Sequence, residues 1–438
     1  MRRERLKRWG LALLLTLLAA GCAGPAAAPG FRFEGLDRLA VLRDDRLLVL
    51  DEESDAPREV ARLEAAGGLA WSADGAWLAL RQSDAEGDRL LLVEAATGRT
   101  RELTGLPGRL LSYAWAPAGN ALAVSVAAGE PADPAIPRGG GVYLIEDPAQ
   151  MRPRLLAETE TGAGGLRWSP DGSRIAWSRT LPYGQAEQRS DALEVVAVDP
   201  AGPALWQHVA EGAGINLAGW WPDGRGLLFW TRPVHCNSCA ADGLPLRSIA
   251  LETKAVVDLP ATLLTPRWLS PVPGQNQLLL VQGGGRVLWD EKGLALCEVG
   301  RSTCRTLPQP EDSVSLDPAL SPDGSQIAFV RAQRRPGEWG FASEEAVQGW
   351  VESRSLWLIR PDGTGARQIS AAGGGIYAPA WSGDGRHLLY IKDGALWALD
   401  LEAESVRRVI ELDWPENRFG SYGQIALWSH RLAWHRPR

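Results

Sequence analysis

The sequence predicts an all-β fold, a single β-propeller of four-stranded antiparallel blades, and three observations predict it. A Trp-Ser-Pro-Asp-Gly module recurs along the chain, its copies lie one blade's length apart, and the first and last segments are complementary fragments of the same unit. Eight blades account for the spacing; seven is the count if one weak copy is irregular. The 20 Trp, 49 Gly and 30 Pro of the 438 residues favour short strands and tight turns over long helices.

The clearest copy is Trp168-Ser169-Pro170-Asp171-Gly172. Pro170 presets φ for a turn, the Asp171 carboxylate can fold back on a backbone N–H, and Gly172 accepts a left-handed conformation. Ile175-Ala176-Trp177 then resumes strand character. Further clear copies begin at Trp71, Trp220, Leu320 and Trp381, weaker ones at Trp115 and Trp268, and Trp428-Ser429-His430 is a stub. Successive copies lie 44, 53, 52, 48, 52, 61 and 47 residues apart, the length of one four-stranded blade. The tryptophans of these copies are expected in the core between blades. Their aspartates are expected to form turns, with no part in chemistry.

Arg38–Leu42, Arg46–Leu50 and Arg58–Arg62 repeat the later strands of a blade without its first. Gln424–Trp428 reads as a first strand with little after it, and Arg431–Trp434 as a further strand of uncertain place. Ring closure follows, with the C-terminal strand completing the N-terminal blade, which removes the open ends. The Trp-Ser-Pro-Asp-Gly-x-x-Ile-Ala pattern resembles the TolB-type, WD-repeat-like propellers of bacteria over nearly all of residues 36–434. That resemblance implies the fold. It does not carry over TolB's own role in the Tol–Pal system, because the extra N-terminal domain of that family has no counterpart here.

Residues 1–21 read as a signal peptide: a basic start, Met1–Arg8, then the short apolar run Leu11–Leu18. The run ends in Leu18-Ala19-Ala20-Gly21-Cys22, which resembles the lipobox of bacterial lipoproteins. In that family Cys22 would be diacylated and become the mature N-terminus. Residues 22–35, small and Pro-rich, would tether the lipid to a propeller of residues 36–438. Ala23 stands where the family places Asp for inner-membrane retention, so outer-membrane or cell-surface placement stays open. Loss of residues 1–21 removes five basic residues and Glu4, taking the formal charge from −7 to −11. An acidic chain without a basic block excludes nucleic acid as partner.

In such a blade the turns between strands A and B and between C and D open on one face, the B–C and D–A connections on the other. The long, irregular connections 126–140, 180–191, 231–243, 332–353 and 413–422 all belong to the second face, where binding is expected. Ser343 before Glu344-Glu345 would cap a short helix bearing Val347 and Trp350. Trp339, Phe341 and Trp350, with Trp414, Phe419 and Tyr422, are the candidate partner-binding residues; the competing account has these rings packing the insertion onto the disc.

Of the remaining cysteines, Cys297 and Cys304 flank a C–D hairpin, and Cys236 and Cys239 form a C-x-x-C in a B–C loop. An exported chain makes both pairs disulfides by default. His235 and the two thiols would lack a fourth zinc ligand, no thioredoxin-like unit surrounds them, and no cofactor motif is evident. No Gly-x-Ser-x-Gly elbow occurs either. The expectation is therefore a monomeric, extracytoplasmic, membrane-anchored propeller without catalytic residues, metal or cofactor. It would bind or scaffold an envelope protein, peptide or glycan. The competing class is a propeller hydrolase or lyase acting on polysaccharide, with carboxylates at the channel mouth.

Overall fold

The computed structural model describes residues 38–51, 56–84, 87–128, 139–181, 189–199, 205–234, 238–337, 343–412, 422–423 and 431–436. They form eight four-stranded antiparallel sheets arranged as the blades of a ring. Blade 1 is composite: Leu432–His435 supplies its inner strand, followed outward by Arg38–Arg43, Arg46–Leu50 and Arg58–Arg62. The inner strands of blades 2 to 8 are Ala66–Trp71, Arg109–Trp115, Gly164–Trp168, Ala213–Trp220, Leu269–Pro271, Ser313–Leu320 and Tyr377–Trp381. Eight blades and ring closure are therefore as the sequence predicts.

The core lies in layers between blades because successive strand residues face opposite sides of a sheet. Leu39 and Val41 pack toward blade 8, beside Leu389 and Ile391. Ala40 and Leu42 pack toward blade 2, beside Leu69 and Leu78. From blade 6 to blade 8 these layers merge into one cluster, bridged by Trp289 and Trp350.

The module turn is built from its own side chains. The Ser169 hydroxyl donates to Asp171 at 2.6 Å and accepts from the Arg174 N–H at 2.9 Å. Asp171 in turn accepts from the Ser173 N–H at 3.0 Å. These bonds, led by that of Ser169, hold its carboxyl down at about 2, well below the usual range. The same Ser–Asp pair recurs at Ser72/Asp74, Ser321/Asp323 and Ser382/Asp384. These aspartates are turn-formers.

Two registers differ from the sequence reading. The closing strand is Leu432–His435, whereas Gln424–Trp428, expected there, lies outside the described residues. Ala433-Trp434 has the sequence of Ala70-Trp71, and Trp434 stands opposite Leu39 as Trp71 stands opposite Leu78. His435 completes the join: its Nε2–H donates to the Ala73 carbonyl at 3.0 Å, and its ring lies 5.9 Å from that of Trp71. A Cβ on Gly75, whose φ is +68°, would meet His435 Cε1 at 2.9 Å, so this turn requires glycine.

The second difference is in blade 6. Pro271, not Trp268, pairs with the second strand where the other blades place the module residue: Pro271 opposite Leu278, as Trp168 is opposite Ile175. Val272-Pro273-Gly274-Gln275 is this blade's turn, and the Val272 N–H donates to Gln277 O as the Ser169 N–H does to Arg174 O. Anchoring this copy at Trp268 sets the repeat three residues early. Trp268 is still buried in the core, three residues before the module position.

Cys297 and Cys304 are cross-strand partners in blade 6 and form the expected disulfide. Removing residues 431–438 should leave the Arg38–Arg43 edge unpaired and strip the Trp71 indole of its acceptor. At roughly 1 kcal/mol per hydrogen bond the loss is about 4–5 kcal/mol, and the bare edge should pair between molecules. Calorimetry should record a lowered Tm, and sedimentation should show self-association.

Candidate functional site

The B–C and D–A connections open on one face, and on the side of blades 5 to 8 they interlock. The Arg286 guanidinium grips the Asp242 carboxylate with Nε at 2.5 Å and Nη2 at 2.6 Å, joining the loops of blades 6 and 5. That grip holds the Asp242 carboxyl below its usual range. The same guanidinium lies 5.5 Å from the Tyr422 ring, and the Tyr422 carbonyl accepts from the Leu288 N–H at 3.0 Å. The Arg335 N–H donates to Trp289 O at 2.8 Å, and Arg334 Nε bonds Asp290 at 2.7 Å, tying blade 7 to blade 6.

Beneath this surface Trp289 and Trp350 meet edge to face, with centroids 5.6 Å apart. Trp350 is fully buried, donates its indole N–H to Gln333 O at 2.7 Å, and carries the Arg354 guanidinium 4.6 Å above its ring. The helix Glu344–Val351 begins as predicted, the Ser343 hydroxyl accepting from the Ala346 N–H at 3.2 Å. At its far end the Glu352 carboxylate accepts from the Gly374 N–H at 2.8 Å. The Lys292 ammonium, also buried, donates to the carbonyls of Gly284, Gly285 and Asp290 at 2.6, 3.0 and 3.2 Å. Burial pushes its pKa down to about 8, while the three acceptors each demand a proton. These loops form a cap with its own core.

Of the residues singled out in the sequence, Trp350 therefore lies inside the cap rather than on its surface, and the half-buried Tyr422 is engaged by Arg286. Trp339, Phe341, Trp414, Phe419, Cys22 and Cys236 lie outside the described residues. Cys239 opens a short 3-10 turn, Cys239–Asp242.

Sequence reasoning missed a charged cluster on the channel wall. Asp317, in the inner strand of blade 7, has φ +47° at the bulge where Gly68, Gly165 and Ala378 are also left-handed. Its buried carboxylate accepts from the Trp268 indole at 2.6 Å and the Ala378 N–H at 3.3 Å, with Arg267 at 3.4 Å. Burial pushes the carboxyl up, yet Arg267, Arg354 and the indole outweigh it and hold it below the usual range. Arg354 is fully buried; burial lowers it to about 10, and its Nη2 bonds Gly423 O at 3.0 Å. Tyr377 completes the cluster, its phenol pushed up by the same burial. The signal in the sequence was an Asp where blades 2, 4 and 8 carry Gly68, Gly165 and Ala378, beside a blade whose Trp is displaced by three residues.

A second cleft, of about 610 Å³, lies between blades 2 and 3. Arg81 Nη2 donates to Leu111 O at 2.7 Å across it, and the Tyr113 hydroxyl donates back to Gly68 O. Among the described residues no group of three His, Cys, Asp or Glu is placed to hold a metal ion.

Asp317→Asn should leave Arg354 and Arg267 facing one another without their carboxylate. A loss of about 3–5 kcal/mol is expected, since breaking a buried pair strands a charge. Urea unfolding should show a lower midpoint at unchanged slope.

No family profile matches the chain. Over 105 residues it is 31% identical to a TolB homolog from Chlorobium luteolum, a match covering 18% of this chain and 24% of that protein. The chain thus spans about a quarter of the length of the curated relative it matches. Among solved structures, dipeptidyl peptidase 4 of Porphyromonas gingivalis superposes with a TM-score of 0.55 at 9% identity, covering 85% of this chain and 58% of that one. A putative TolB from Agrobacterium tumefaciens gives 0.36 at 13% identity, covering 80% and 95%. At 9% identity the peptidase structure speaks to fold alone. With its recurring module, its eight closed blades and its match to a TolB homolog, the chain is similar to the TolB-type, WD-repeat-like β-propellers.

Proposed function

We propose that this protein is a lipid-anchored, extracytoplasmic propeller that binds or scaffolds a protein, peptide or glycan of the cell envelope through its loop face, without catalysis. The observation that carries the reading is the cap: loops of blades 5 to 8 bonded to one another by Arg286–Asp242, Arg334–Asp290, the Leu288 N–H to the Tyr422 carbonyl and the Trp289–Trp350 contact. A pre-organised surface loses little entropy on association, which is what a binding face needs. The helix Glu344–Val351 turns Val347 and Trp350 inward and leaves Glu344, Glu345 and Gln348 exposed to a partner. Trp339, Phe341, Trp414 and Phe419 are proposed to extend that surface, with Tyr422 and the buried Trp350 supporting it.

A non-catalytic role is favoured by the surroundings of Asp317. Its neighbours are arginines, an indole and a backbone N–H, all of which keep it ionised. A glycosidase-type mechanism needs a second carboxyl with a raised pKa. The Cys297–Cys304 disulfide supports an oxidising compartment. Cys22 is proposed as the lipidated residue and Cys236–Cys239 as a second disulfide. No helix among the described residues is long and apolar enough to cross a membrane.

Cys22→Ala should move the protein from the membrane fraction to the soluble fraction on ultracentrifugation; full retention would remove the lipid anchor from this account. For the binding face, deletion of the insertion is a poor test because Trp350 is core. Gln348→Arg with Gly349→Arg instead adds two bulky cations to the exposed helix side, where a Cβ on Gly349 meets nothing within 4 Å. Tm should hold, while recovery of partners crosslinked in native envelopes should fall about tenfold. Undiminished recovery would place binding elsewhere.

A further inference from the structure

We propose that the central channel carries a carboxylate-binding site between blades 6, 7 and 8, with Arg267 as its recognition residue. A cavity of about 360 Å³ lies there, bounded by the inner strands and by turn residues such as Pro273, Ser321 and Pro322, so it sits toward the face opposite the cap. Its twelve lining residues include Arg267 and Arg436 and no acid, in a chain whose formal net charge is −7.

Three features give the cavity its preference. The first is charge: Asp317 neutralises only one of Arg267 and Arg354, so the wall carries a net positive charge beside a low-dielectric core. The second is reach. Asp317 is 5% exposed and Arg267 41%, and their nearest atoms, Oδ1 and Nη2, lie 3.4 Å apart, so the carboxylate stays in the wall while the Arg267 side chain reaches solvent. A guanidinium fork matches the two oxygens of a planar carboxylate. The third is the wall itself: Pro271, Pro318 and Pro379 line it, and a proline has no N–H to offer an anion. Of the two arginines in the lining, Arg436 lies 4.6 Å over the Trp434 ring, whereas Arg267 is set by Asp317; recognition therefore falls to Arg267, and Asp317 is its positioning partner. The size suits one compact acid, either a small organic acid or an acidic side chain presented by a peptide.

The test uses the full mature chain, with thermal unfolding followed at constant ionic strength. Succinate and a capped tri-glutamate peptide are the two carboxylate probes, and phosphate is the comparison anion. At a probe concentration near a hundredfold over Kd, a rise in Tm of about 2 °C or more is expected with one carboxylate probe. The probe that acts names the source. The rise should vanish in Arg267→Gln and persist in Arg109→Gln, a change at an exposed arginine of blade 3. Should Arg267→Gln fail to fold, phenylglyoxal modification of the unaltered protein gives the answer, because the bound carboxylate should slow labelling at Arg267 relative to Arg109. No rise with either probe, an equal rise in Arg267→Gln, a larger rise with phosphate, or labelling of Arg267 unchanged by the probe would each overturn the site.

Discussion

One hydrogen bond, repeated around the ring, ties the blades together. The indole of the module Trp donates to the backbone carbonyl just before the module position of the preceding blade. Trp71 reaches Ala433 at 3.0 Å, Trp115 reaches Ala70 at 3.1 Å, and Trp168 reaches Ala114 at 2.8 Å. Trp220 reaches Arg167 at 3.0 Å and Trp381 reaches Ala319 at 3.0 Å. Each bond is worth about 1 kcal/mol net, but its larger effect is on register. An indole that must fill the space between two sheets and also meet one carbonyl admits one stagger of neighbouring blades. The bond from Trp71 to Ala433 is where the chain's two ends obey the same rule.

In blades 6 and 7 the relay lapses, and the chemistry of the wall changes there. Blade 6 has Pro271 and blade 7 has Leu320 at the module position, and neither side chain can donate. In their stead Trp268 reaches forward to the Asp317 carboxylate, which also gathers Arg267 and the Ala378 N–H. A neutral indole–carbonyl bond has been exchanged for a buried ionic one. Such an arrangement is a weak source of stability, since desolvation offsets much of the attraction. It does provide what a neutral bond cannot, a polarised wall on the channel. The same sector bears the cap, and Arg354 joins the two: its guanidinium helps hold Asp317 ionised from one side and bonds Gly423 O in the cap from the other.

The fold was legible because its signal is local and repeated. Ser169, Asp171 and Gly172 satisfy their own turn, so the same short string recurs wherever the turn does, and the spacing follows. The site was less legible, for a physical reason. Asp317 reads as one more strand-edge residue until its neighbours are known, and they come from three blades: Arg267, Arg354 and Ala378. Trp350 read as a surface ring because an insertion rich in aromatics suits either a docking face or a small core. Only packing decides between them, and here Trp289 from the next loop claims it. The closing strand was misplaced because Trp428-Ser429 imitates the module better than Trp434-His435, although the His ring bonds the neighbouring turn as the ring requires.

The two faces of the disc are thus built for different tolerances. On the turn face, Ser–Asp turns of nearly fixed sequence leave little room for change, because each buried serine hydroxyl answers both a carboxylate and a backbone N–H. On the loop face, the connections answer mainly to one another, through pairs such as Arg286–Asp242 and Arg334–Asp290. Loops held by mutual contacts can alter their outer residues while keeping the inner ones, so a new surface need not disturb the ring beneath it. A rigid scaffold with one exchangeable face meets the physical requirement for recognition. In this chain the loops are most closely tied over blades 6 and 7, where the module position carries Pro271 and Leu320 and the indole relay is given up.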